Sequence, residues 1–384
     1  MSAAPEKPGP LSGLTVIEMA GLGPVPHAGL MLAEMGATVL RVERLSNARA
    51  FLHLPPDVDI ERHGRAVLKI DLKRPEGVEL LLRLTDKADM LIEGFRPGVM
   101  ERLGAGPDVL LARNPKLIYG RMTGFGQEGP LSDRAGHDLT YLAYSGVLHA
   151  IGPSDSKPVP PLNLVADYGG GTMFLMTGLL AALFERSRSG KGQVVDAAMV
   201  DGAGMLAAPF FAFMAGGFWT DRRGENLLDS GAPFYDTYET ADAKHVAVAC
   251  LEPQFFAEFA KLLPLEKRFA AAQYDKKIWP EMRKAIAARL IEKTRDEWAA
   301  LFEPTDACVA PVLSLIEAPD HPHNRARQAH VTAGSFTRPA PAPRFSRTPS
   351  QMAKPAASSP AELAAFGLAE EETKVLLAAG VVAV

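Results

Sequence analysis

Three stretches of the sequence place titratable side chains where acid–base chemistry can be done. His137 opens the block HDLTYLAYSG after a glycine, Asp167 precedes the run YGGG, and Glu252 ends an apolar run just before a proline. Imidazole exchanges protons near neutral pH, and a carboxyl group can act as acid, base or nucleophile once its surroundings tune its pKa. These residue types therefore indicate proton transfer or covalent catalysis.

Each of the three residues also has an ordinary structural explanation. Asp167 suits the N-cap of the apolar helix that follows it, although glycines at a helix start also let a ligand approach unpaired N–H groups. A histidine at a helix start and an acid at a strand end are common in scaffolds as well. At the level of single residues, both interpretations stay open.

Alternating strand and helix patterns in the first part of the chain would position these residues. Strand patterns cover residues 14–19, 38–44, 66–72, 89–95 and 116–122, and helical patterns cover 27–35, 75–88, 99–103 and 108–113. Apolar strands separated by single helices predict a parallel sheet covered on both faces. We expect an α/β fold with a Rossmann-like large domain.

The pattern changes after residue 130. Longer helical stretches at 137–148 and 171–188 and a strand at 192–199 are followed, from residue 229, by a strand pair and amphipathic helices to about 302. This predicts a smaller α+β domain. We expect residues 1–215 to form the first part of the large domain, 216–317 the small domain, and 318–384 a return segment that completes the large one.

Two later stretches carry their own expectations. The run VAPVLSL at 309–315 is expected to lead back to the large domain. Six of the 23 residues from 338 to 360 are proline, so this piece should be extended, either wrapping over a neighbour or acting as a spacer.

Composition limits the classes of function. The 384 residues carry 41 Lys plus Arg and 45 Asp plus Glu, a net charge of −4, whereas nucleic-acid binders show a basic domain or face. Any anionic ligand needs a local positive pocket. The two cysteines form no CxxC pair, so neither a disulfide framework nor a cysteine zinc site is expected, and we expect no bound metal. Two uncharged apolar runs, 168–184 and 203–220, approach the length of a bilayer span, but both are rich in Gly and Ala and lack flanking basic clusters, so we expect buried helices and no membrane span. Because the N-terminus lacks signal features, we expect a cytoplasmic protein.

Common nucleotide and hydrolase motifs are incomplete. The loop GLGPVPHAG has Pro26 at the third glycine position of the dinucleotide fingerprint, where glycine allows a helix to pack closely on a strand. SGKGQ at 189–193 lacks the spacing of a phosphate-binding loop. Without G-x-S-x-G or H-E-x-x-H, the hydrolase and metalloprotease classes lose their simplest support.

Over nearly its whole length the chain resembles the α-methylacyl-CoA racemases of the family III CoA-transferase superfamily. Eight blocks stand in the family's order: LSGLTVIEMAGLGPVPHAGLMLAEMGATVLRVER, DMLIEGFRPGVMERLG, IYGRMTGFGQEGP, AGHDLTYLAYSGVLHAIG, PVPPLNLVADYGGGTMF, GKGQVVDAAMVDG, GAPFYDTYE and DACVAPVL. The resemblance implies that His137 and Asp167 are catalytic and that Glu252 is the acid partnered with the histidine. A histidine in GHDxxY is typical of the racemase branch, whereas CoA-transferases share only the aspartate.

The resemblance also implies a set of CoA-binding positions. They are Arg44, Ile70, Asp71, Leu72, Lys73, Gly94, Phe95, Arg96, Arg102, Gly136, Asp138, Leu139, Thr140 and Tyr141. The four cations in this set would supply the local positive pocket and hold the nucleotide phosphates. Each of them alone also suits a solvated surface position.

The resemblance implies an isomerase that inverts the α-carbon of 2-methylacyl-CoA thioesters by two-base 1,1-proton transfer through an enolate. The alternative is a family III CoA-transferase that moves CoA between carboxylic acids through an acyl anhydride on Asp167. CoA is part of the substrate, so no separate cofactor is expected. The N–H groups near Gly169–Gly171 are candidates for stabilising the enolate.

The family's interlocked homodimer, two chains threaded through each other, is implied as well. The apolar segment 199–219 is rich in Met and Phe. It is interpreted as an adaptable acyl-binding face, with a buried helix or a subunit interface as alternatives.

Overall fold

A computed structural model describes residues 9–45, 54–355 and 363–383 of the chain. Its strands are β1 (Thr15–Met19), β2 (Thr38–Glu43), β3 (Arg65–Ile70), β4 (Met90–Glu93), β5 (Ile118–Thr123), β6 (Gln193–Ala198), β7 (Tyr235–Glu239), β8 (His245–Ala249), β9 (Val309–Pro311), β10 (His330–Ala333), β11 (Phe336–Pro339) and β12 (Val382–Ala383).

The helices alternate with the strands over most of the chain. The α-helices are α1 (Pro24–Glu34), α2 (Pro75–Thr85), α3 (Val99–Arg102), α4 (Pro107–Arg113), α5 (Asp138–Tyr144), α6 (Met173–Ser189), α7 (Met199–Leu206), α8 (Ala208–Ala215), α9 (Pro253–Leu262), α10 (Lys267–Ala271), α11 (Trp279–Leu290), α12 (Arg295–Phe302), α13 (Pro322–Ala326) and α14 (Glu370–Ala378). A π-helical segment, Leu164–Thr172, runs directly into α6, and 3₁₀-helices cover Ile60–Arg62, Val147–Ala150 and Ala318–Asp320.

The chain forms two compact units. The first comprises Met1–Ser145, Leu162–Leu206 and Gln328–Val384, and the second comprises Gly146–Pro161 and Ala207–Arg327. The division thus differs from the boundaries drawn from the sequence, because residues 146–161, 207–215 and 318–327 belong to the second unit.

Side-chain contacts explain one of these differences. Arg223 donates to the carbonyl of Pro153 (3.1 Å), and the His149 ring lies 2.9 Å from the carbonyl of Asp221. These bonds join residues about 70 positions apart in the chain, which a local pattern cannot reveal.

The sheet of the first unit has the doubly wound order. Among the described residues the order is β12-β3-β2-β1-β4-β5-β6, with β1 to β6 parallel and β12 antiparallel to β3. In such sheets ligands bind outside the carboxyl ends of the strands, where the strand order reverses, here between β1 and β4. The predicted Rossmann-like parallel sheet is confirmed, while β12 at the end of the chain was not predicted.

Apolar side chains cover both faces of this sheet. Ile17, Leu40, Leu68 and Leu91, on four neighbouring strands, are fully buried, as expected for a sheet packed on two sides. Helix α6 packs against β5, where the absence of a Cβ at Gly120 leaves room for Leu175 and Leu179.

The helix from Leu164 to Ser189 is long and apolar enough to cross a bilayer by length and composition. In its α6 part, the side chains of Leu175, Met176, Leu179 and Ala182 are nevertheless buried in the first unit. Core helices of soluble proteins pass the same test of length and composition, so the feature is weak evidence for a span.

Buried ion pairs hold α1 over the end of β1. Glu18 on β1 pairs with Arg41 on β2 and with Arg65 on β3, and its side chain is fully buried. Arg65 also donates to the carbonyl of Pro26 in the first turn of α1. A Cβ at Gly29 would overlap the Glu18 carboxylate, so glycine is required for the helix to lie this close.

The second unit is an antiparallel β7-β8-β9 sheet with helices packed on it. Its core is aromatic, with fully buried Phe234, Phe256, Phe259 and Phe302. Because Val309 pairs with Val248 on β8, the prediction that residues 309–315 lead back to the large domain is wrong. A three-residue apolar strand fits the edge of either sheet, so only the pairing identifies its place.

The return segment begins with the hairpin β10–β11 and then follows the end of α1. Arg338 forms a buried ion pair with Glu34 (2.6 Å), and the N–H of Gln351 donates to the Glu34 carbonyl (2.7 Å). Residues 341–355 form neither helix nor strand in the described part of the chain, as the prolines predicted. Residues 356–360 of the proline-rich stretch lie outside the described residues.

Candidate active site

Asp167 lies inside the π-helical segment. Segments of this kind are rare and concentrate at functional sites. A Cβ at Gly170 would lie 2.5 Å from the Ala203 nitrogen of α7, and Thr172 donates to the Pro24 carbonyl (3.0 Å). The glycines therefore allow close packing. The three glycines Gly169–Gly171 lie inside the π-helix, whose pattern pairs each N–H group with the carbonyl five residues earlier. N–H groups paired in this way cannot bind an enolate oxygen, so the prediction of enolate donors at Gly169–Gly171 is wrong.

The Asp167 carboxylate is half-buried and faces the turn between β1 and α1. Asn163 donates to its Oδ2 (3.2 Å), and a Cβ at Gly23 would lie 3.4 Å from the same oxygen. Gly23 has a φ of 65°, a conformation that glycine adopts without strain. The pKa of Asp167 is raised above its usual value, chiefly because the carboxyl group is partly buried and also because the negative charge of Asp138 is near. The hydrogen bond from Asn163 and the nearby His137 lower this pKa and so oppose the rise.

Asp138 joins the two segments that carry the catalytic candidates. It is 4% exposed, and its Oδ2 accepts the N–H groups of Ala166 and Asp167, both at 2.8 Å. Its Oδ1 is buried without a partner among the described residues. The side chain thus binds the backbone of the π-helical segment, so any contact of this residue with CoA would be made by its own backbone.

His137 occupies the N-cap position of α5 and is exposed. Its N–H donates to the Thr140 hydroxyl (3.0 Å), which in turn donates to the His137 carbonyl (2.7 Å). The first N–H groups of a helix have no partner within it. The N–H groups of Asp138 and Leu139, which directly follow His137 in the chain, are therefore without a partner inside the helix.

Tyr141, one turn further along α5, is tightly enclosed. A Cβ at Gly124 or at Gly136 would overlap its ring, which explains the glycine directly before His137. Burial raises the pKa of Tyr141 to about 12, nearby Asp167 adds to this rise and Arg96 opposes it. These three side chains are therefore within electrostatic reach of one another.

The predicted cations lie along the carboxyl edge of the sheet. Arg44 follows β2, Lys73 follows β3, and Arg96 follows β4. With neighbouring strands about 4.8 Å apart, the three spacings from β3 to β4 span about 14 Å. All three residues, and Arg102 at the end of α3, are exposed, and none forms an ion pair with a described residue. They form a row of uncompensated positive charge, which we call the cationic row.

The other predicted CoA positions lie at the same edge but differ in access. Ile70 is buried in the core and Leu72 is half-buried against it, so Ile70 can meet a ligand only through its backbone. Asp71 accepts the N–H of Lys73 (3.1 Å). Gly94, Leu139 and Thr140 are exposed, and Phe95 and Gly136 are half-buried.

Glu252 lies in the second unit, at the N-cap position of α9 with Pro253 following it. The residue is exposed, and its side chain makes no capping hydrogen bond. Its pairing with His137, which belongs to the first unit, stays a prediction.

The described residues contain no group of three or more His, Cys, Asp or Glu side chains that could hold a metal ion.

Comparison with known proteins identifies the family. A profile described as CoA-transferase family III matches residues 11–361. The chain belongs to CoA-transferase family III. Two relatives of the chain, one from mouse and one from human, are named alpha-methylacyl-CoA racemase. The mouse protein is 49% identical to this chain and the human protein 44%, and each alignment covers 88% of this chain and 87% of the relative.

Solved structures agree with this family III assignment. The crystal structure of a CAIB/BAIF family protein from Brucella suis has a TM-score of 0.79 at 25% identity and covers 96% of this chain and 99% of that chain. The resemblance inferred from the sequence is confirmed.

Sequence reasoning missed several residues that shape the site. The family resemblance assigned Asp138 to CoA binding. Its carboxylate instead accepts hydrogen bonds from backbone N–H groups 28 and 29 positions away in the chain. Gly23 was considered only as part of an incomplete dinucleotide motif. The one available signal was the Asp immediately after His137, and its hydrogen-bond partners cannot be known before the fold.

Proposed function

We propose that this chain is a racemase that inverts the α-carbon of 2-methylacyl-CoA thioesters. The observation that carries the proposal is the placement of His137 and Asp167 within electrostatic reach at the carboxyl edge of the sheet, with Asp138 joining their segments. The names of the mouse and human relatives support the same reaction.

The reaction needs one base and one acid on opposite faces of the α-carbon. Neutral His137 removes the α-proton, and the electron pair of the C–H bond moves into the thioester to form an enolate. Protonated Asp167 then returns a proton to the other face, and the roles reverse for the opposite epimer. Its raised pKa keeps more of this carboxyl group protonated near neutral pH than an ordinary aspartic acid would be.

Backbone N–H groups at the start of α5 are the proposed enolate donors. Those of Asp138 and Leu139 have no partner within the helix and adjoin His137. Donors placed where negative charge develops are a large source of rate enhancement. They replace the glycine donors expected from the sequence.

The cationic row is the proposed site for the CoA phosphates. Arg44, Lys73, Arg96 and Arg102 stand at the edge where doubly wound sheets bind ligands, and charge-assisted hydrogen bonds to phosphate are the strong ones. Glu252 is proposed to orient His137 and stabilise its charged form, so replacing it by Gln should lower kcat with a smaller effect on KM.

Reaction with an S- or R-2-methylacyl-CoA in deuterated water tests the function. α-Deuteration with epimerisation in the absence of any carboxylic acid acceptor is expected. Exchange of CoA that depends strictly on an acceptor acid would instead support transfer through an Asp167 anhydride and overturn the proposal. The matched control is the His137→Ala, Asp167→Asn double variant, in which deuteration should disappear.

We also propose that the chain works as a homodimer, interlocked as in the family it resembles. Helix α8 has no buried residue; its Phe211 is 57% exposed, and Phe218, which follows the helix, is 80% exposed. Large exposed apolar patches of this kind mark interaction surfaces. Sedimentation of the active enzyme at twice the chain mass is expected, and a fully active monomer would contradict the proposal.

A further inference from the structure

The segment after β4, a loop followed by α3, carries two members of the cationic row, Arg96 and Arg102, and it is fixed at its start. Glu93, the last residue of β4, is 1% exposed, and its Oε2 accepts the N–H of Phe95 (2.7 Å). The N–H of Val99 then donates to the Arg96 carbonyl (3.1 Å), and Gly98 has φ 77° and ψ −1°. Proline at the second and glycine at the third position favour this type II turn.

The same loop is fixed again at its end by Arg121 of β5. Arg121 stands directly opposite Glu93 in the parallel ladder and donates from Nε to its Oε1 (3.1 Å). Its Nη1 pairs with Oε1 of Glu101 on α3 (2.9 Å), and its Nη2 donates to the other Glu101 oxygen (3.3 Å). One buried guanidinium thus connects the two ends of the segment that contains Arg96.

The positive charge of Arg121 is compensated within the protein. The titratable groups that face this cluster are Glu93 on β4, Tyr119 on β5, Glu101 on α3 and Asp196 on β6. Arg121 is only 6% exposed and its guanidinium bonds both glutamates. By contrast, Arg96, three residues after Glu93, and Arg102, directly after Glu101, are exposed and pair with no described carboxylate.

We propose that Glu93, Arg121 and Glu101 form a positioning clamp that holds Arg96 and Arg102 in place for the phosphates of the acyl-CoA. The clamp residues do not touch the reacting atoms. The inference rests on the proposed function, because it takes the cationic row as the phosphate site.

The first test compares binding of CoA itself, by calorimetry, in the wild type and in Glu93→Gln. Gln keeps the shape and the bond to Phe95 but loses the charge opposite Arg121, so the Kd should rise about tenfold at pH 8. Glu101→Gln, at a partly exposed position, provides a second variant if the first is unstable, with a smaller rise expected. The matched control is Glu79→Gln, which alters an arginine–carboxylate cluster around Arg113 at the opposite edge, and it should leave the Kd unchanged.

The pH dependence separates positioning from simple loss of structure. Burial raises the pKa of Glu93 to about 7, although Phe95 and Arg121 oppose this. Below that pH the wild-type carboxyl is neutral like Gln, so the tenfold difference in Kd should shrink to about twofold at pH 6. The ionisation of CoA's own phosphate affects both proteins equally and cancels in the ratio. A ratio that stays constant from pH 6 to 8 would overturn the charge-based clamp.

Kinetics complete the test and keep the two proposals distinguishable. With acyl-CoA, Glu93→Gln should raise KM and leave kcat nearly unchanged, whereas with the phosphate-free acyl-pantetheine thioester its kcat/KM should equal that of the wild type. An equal loss on both substrates would overturn the clamp. A wild type that binds CoA but exchanges no α-proton would overturn the proposed function alone, since the calorimetric comparison does not depend on the reaction.

Discussion

Arginines at the two edges of the same sheet differ in whether a carboxylate of the protein pairs with them. At the amino edge, Arg186 donates to the Asp89 carboxylate (2.8 Å) and to the carbonyls of Asp89 and Lys116 (3.3 and 3.1 Å), and Arg113 meets both oxygens of Asp86 (2.8 and 2.6 Å). At the carboxyl edge, Arg44 and the other members of the cationic row have no described ionic partner.

This difference distinguishes structural charges from charges held ready for a ligand. A surface depression of about 440 Å³ lies at the amino edge, lined in part by Asp89, Asn114 and Arg186. The Asn114 amide donates to the carbonyls of Thr85 and Ala88, so this amide and Arg186 are already bonded to the protein. Lys87 and Lys116 also line this depression, and neither has an ion pair with a described residue. The contrast between the edges is therefore one between arginines: those of the amino edge are paired, whereas those of the cationic row at the carboxyl edge have no ionic partner among the described residues and remain available to bind phosphate.

The largest expected effect tests whether the chemistry belongs to the carboxyl edge. His137→Ala and Asp167→Asn should each lower the rate of α-proton exchange by about 10²- to 10⁴-fold, the usual contribution of a positioned acid or base. Arg186→Ala, at the amino edge, should keep the wild-type rate. Mass spectrometry of the thioester after incubation in deuterated water measures this, and wild-type exchange in either catalytic variant would refute the assignment.

A second effect concerns the unpaired cations. Arg96→Ala and Arg102→Ala should each raise KM for acyl-CoA by about tenfold, since each removes a charge-assisted bond to phosphate. Arg113→Ala removes a paired arginine and should leave KM unchanged. Initial rates at several salt concentrations would check both points. The KM of the wild type should rise with ionic strength, and the KM of Arg96→Ala and of Arg102→Ala should rise less steeply. Equal KM values in all four proteins would erase the distinction between the edges.

The paired arginines should matter for stability instead. Arg186→Ala removes three hydrogen bonds at a mostly buried position and should lower the free energy of unfolding by about 1–3 kcal/mol. Arg96→Ala should change it by less than about 0.5 kcal/mol, as is usual for exposed sites. Urea titration of both variants measures the contrast, and greater destabilisation by Arg96→Ala than by Arg186→Ala would reverse our interpretation.

The smallest expected effect is a shift in pH profile. Asp138→Asn removes a negative charge that raises the pKa of Asp167, while the amide oxygen can still accept the two backbone N–H groups. The pKa of Asp167 should therefore fall, and the limb of the kcat profile in which it acts as the acid should move to lower pH by less than about one unit. Asp133→Asn, on the exposed loop before His137, is the control and should leave the profile in place. Movement to higher pH would contradict the proposed electrostatic link.

Much of the fold could be predicted because its signals are local. The five strands of the first half and their intervening helices are found within a few residues of their predicted bounds. The signals used, the spacing of apolar residues and the prolines at helix starts, each lie within a single helix or strand. The sequence predicted a loop and a helix start where the structure has the π-helical segment. An acid followed by glycines suits both a loop before a helix and a π-helix, so the sequence could not distinguish them. The short strands β9 and β12 depend on pairing partners far away in the chain.

The candidate site shows the same division. The titratable types of His137, Asp167 and Glu252 and the family blocks around them are legible in the sequence, and they determined the class of reaction to be considered. Only the tertiary structure decided that Asp138 serves the backbone of the π-helical segment and that Arg121 is compensated while Arg96 is not. The physical reason is that charge compensation and burial depend on strand register and on contacts between residues tens of positions apart, which no local pattern contains.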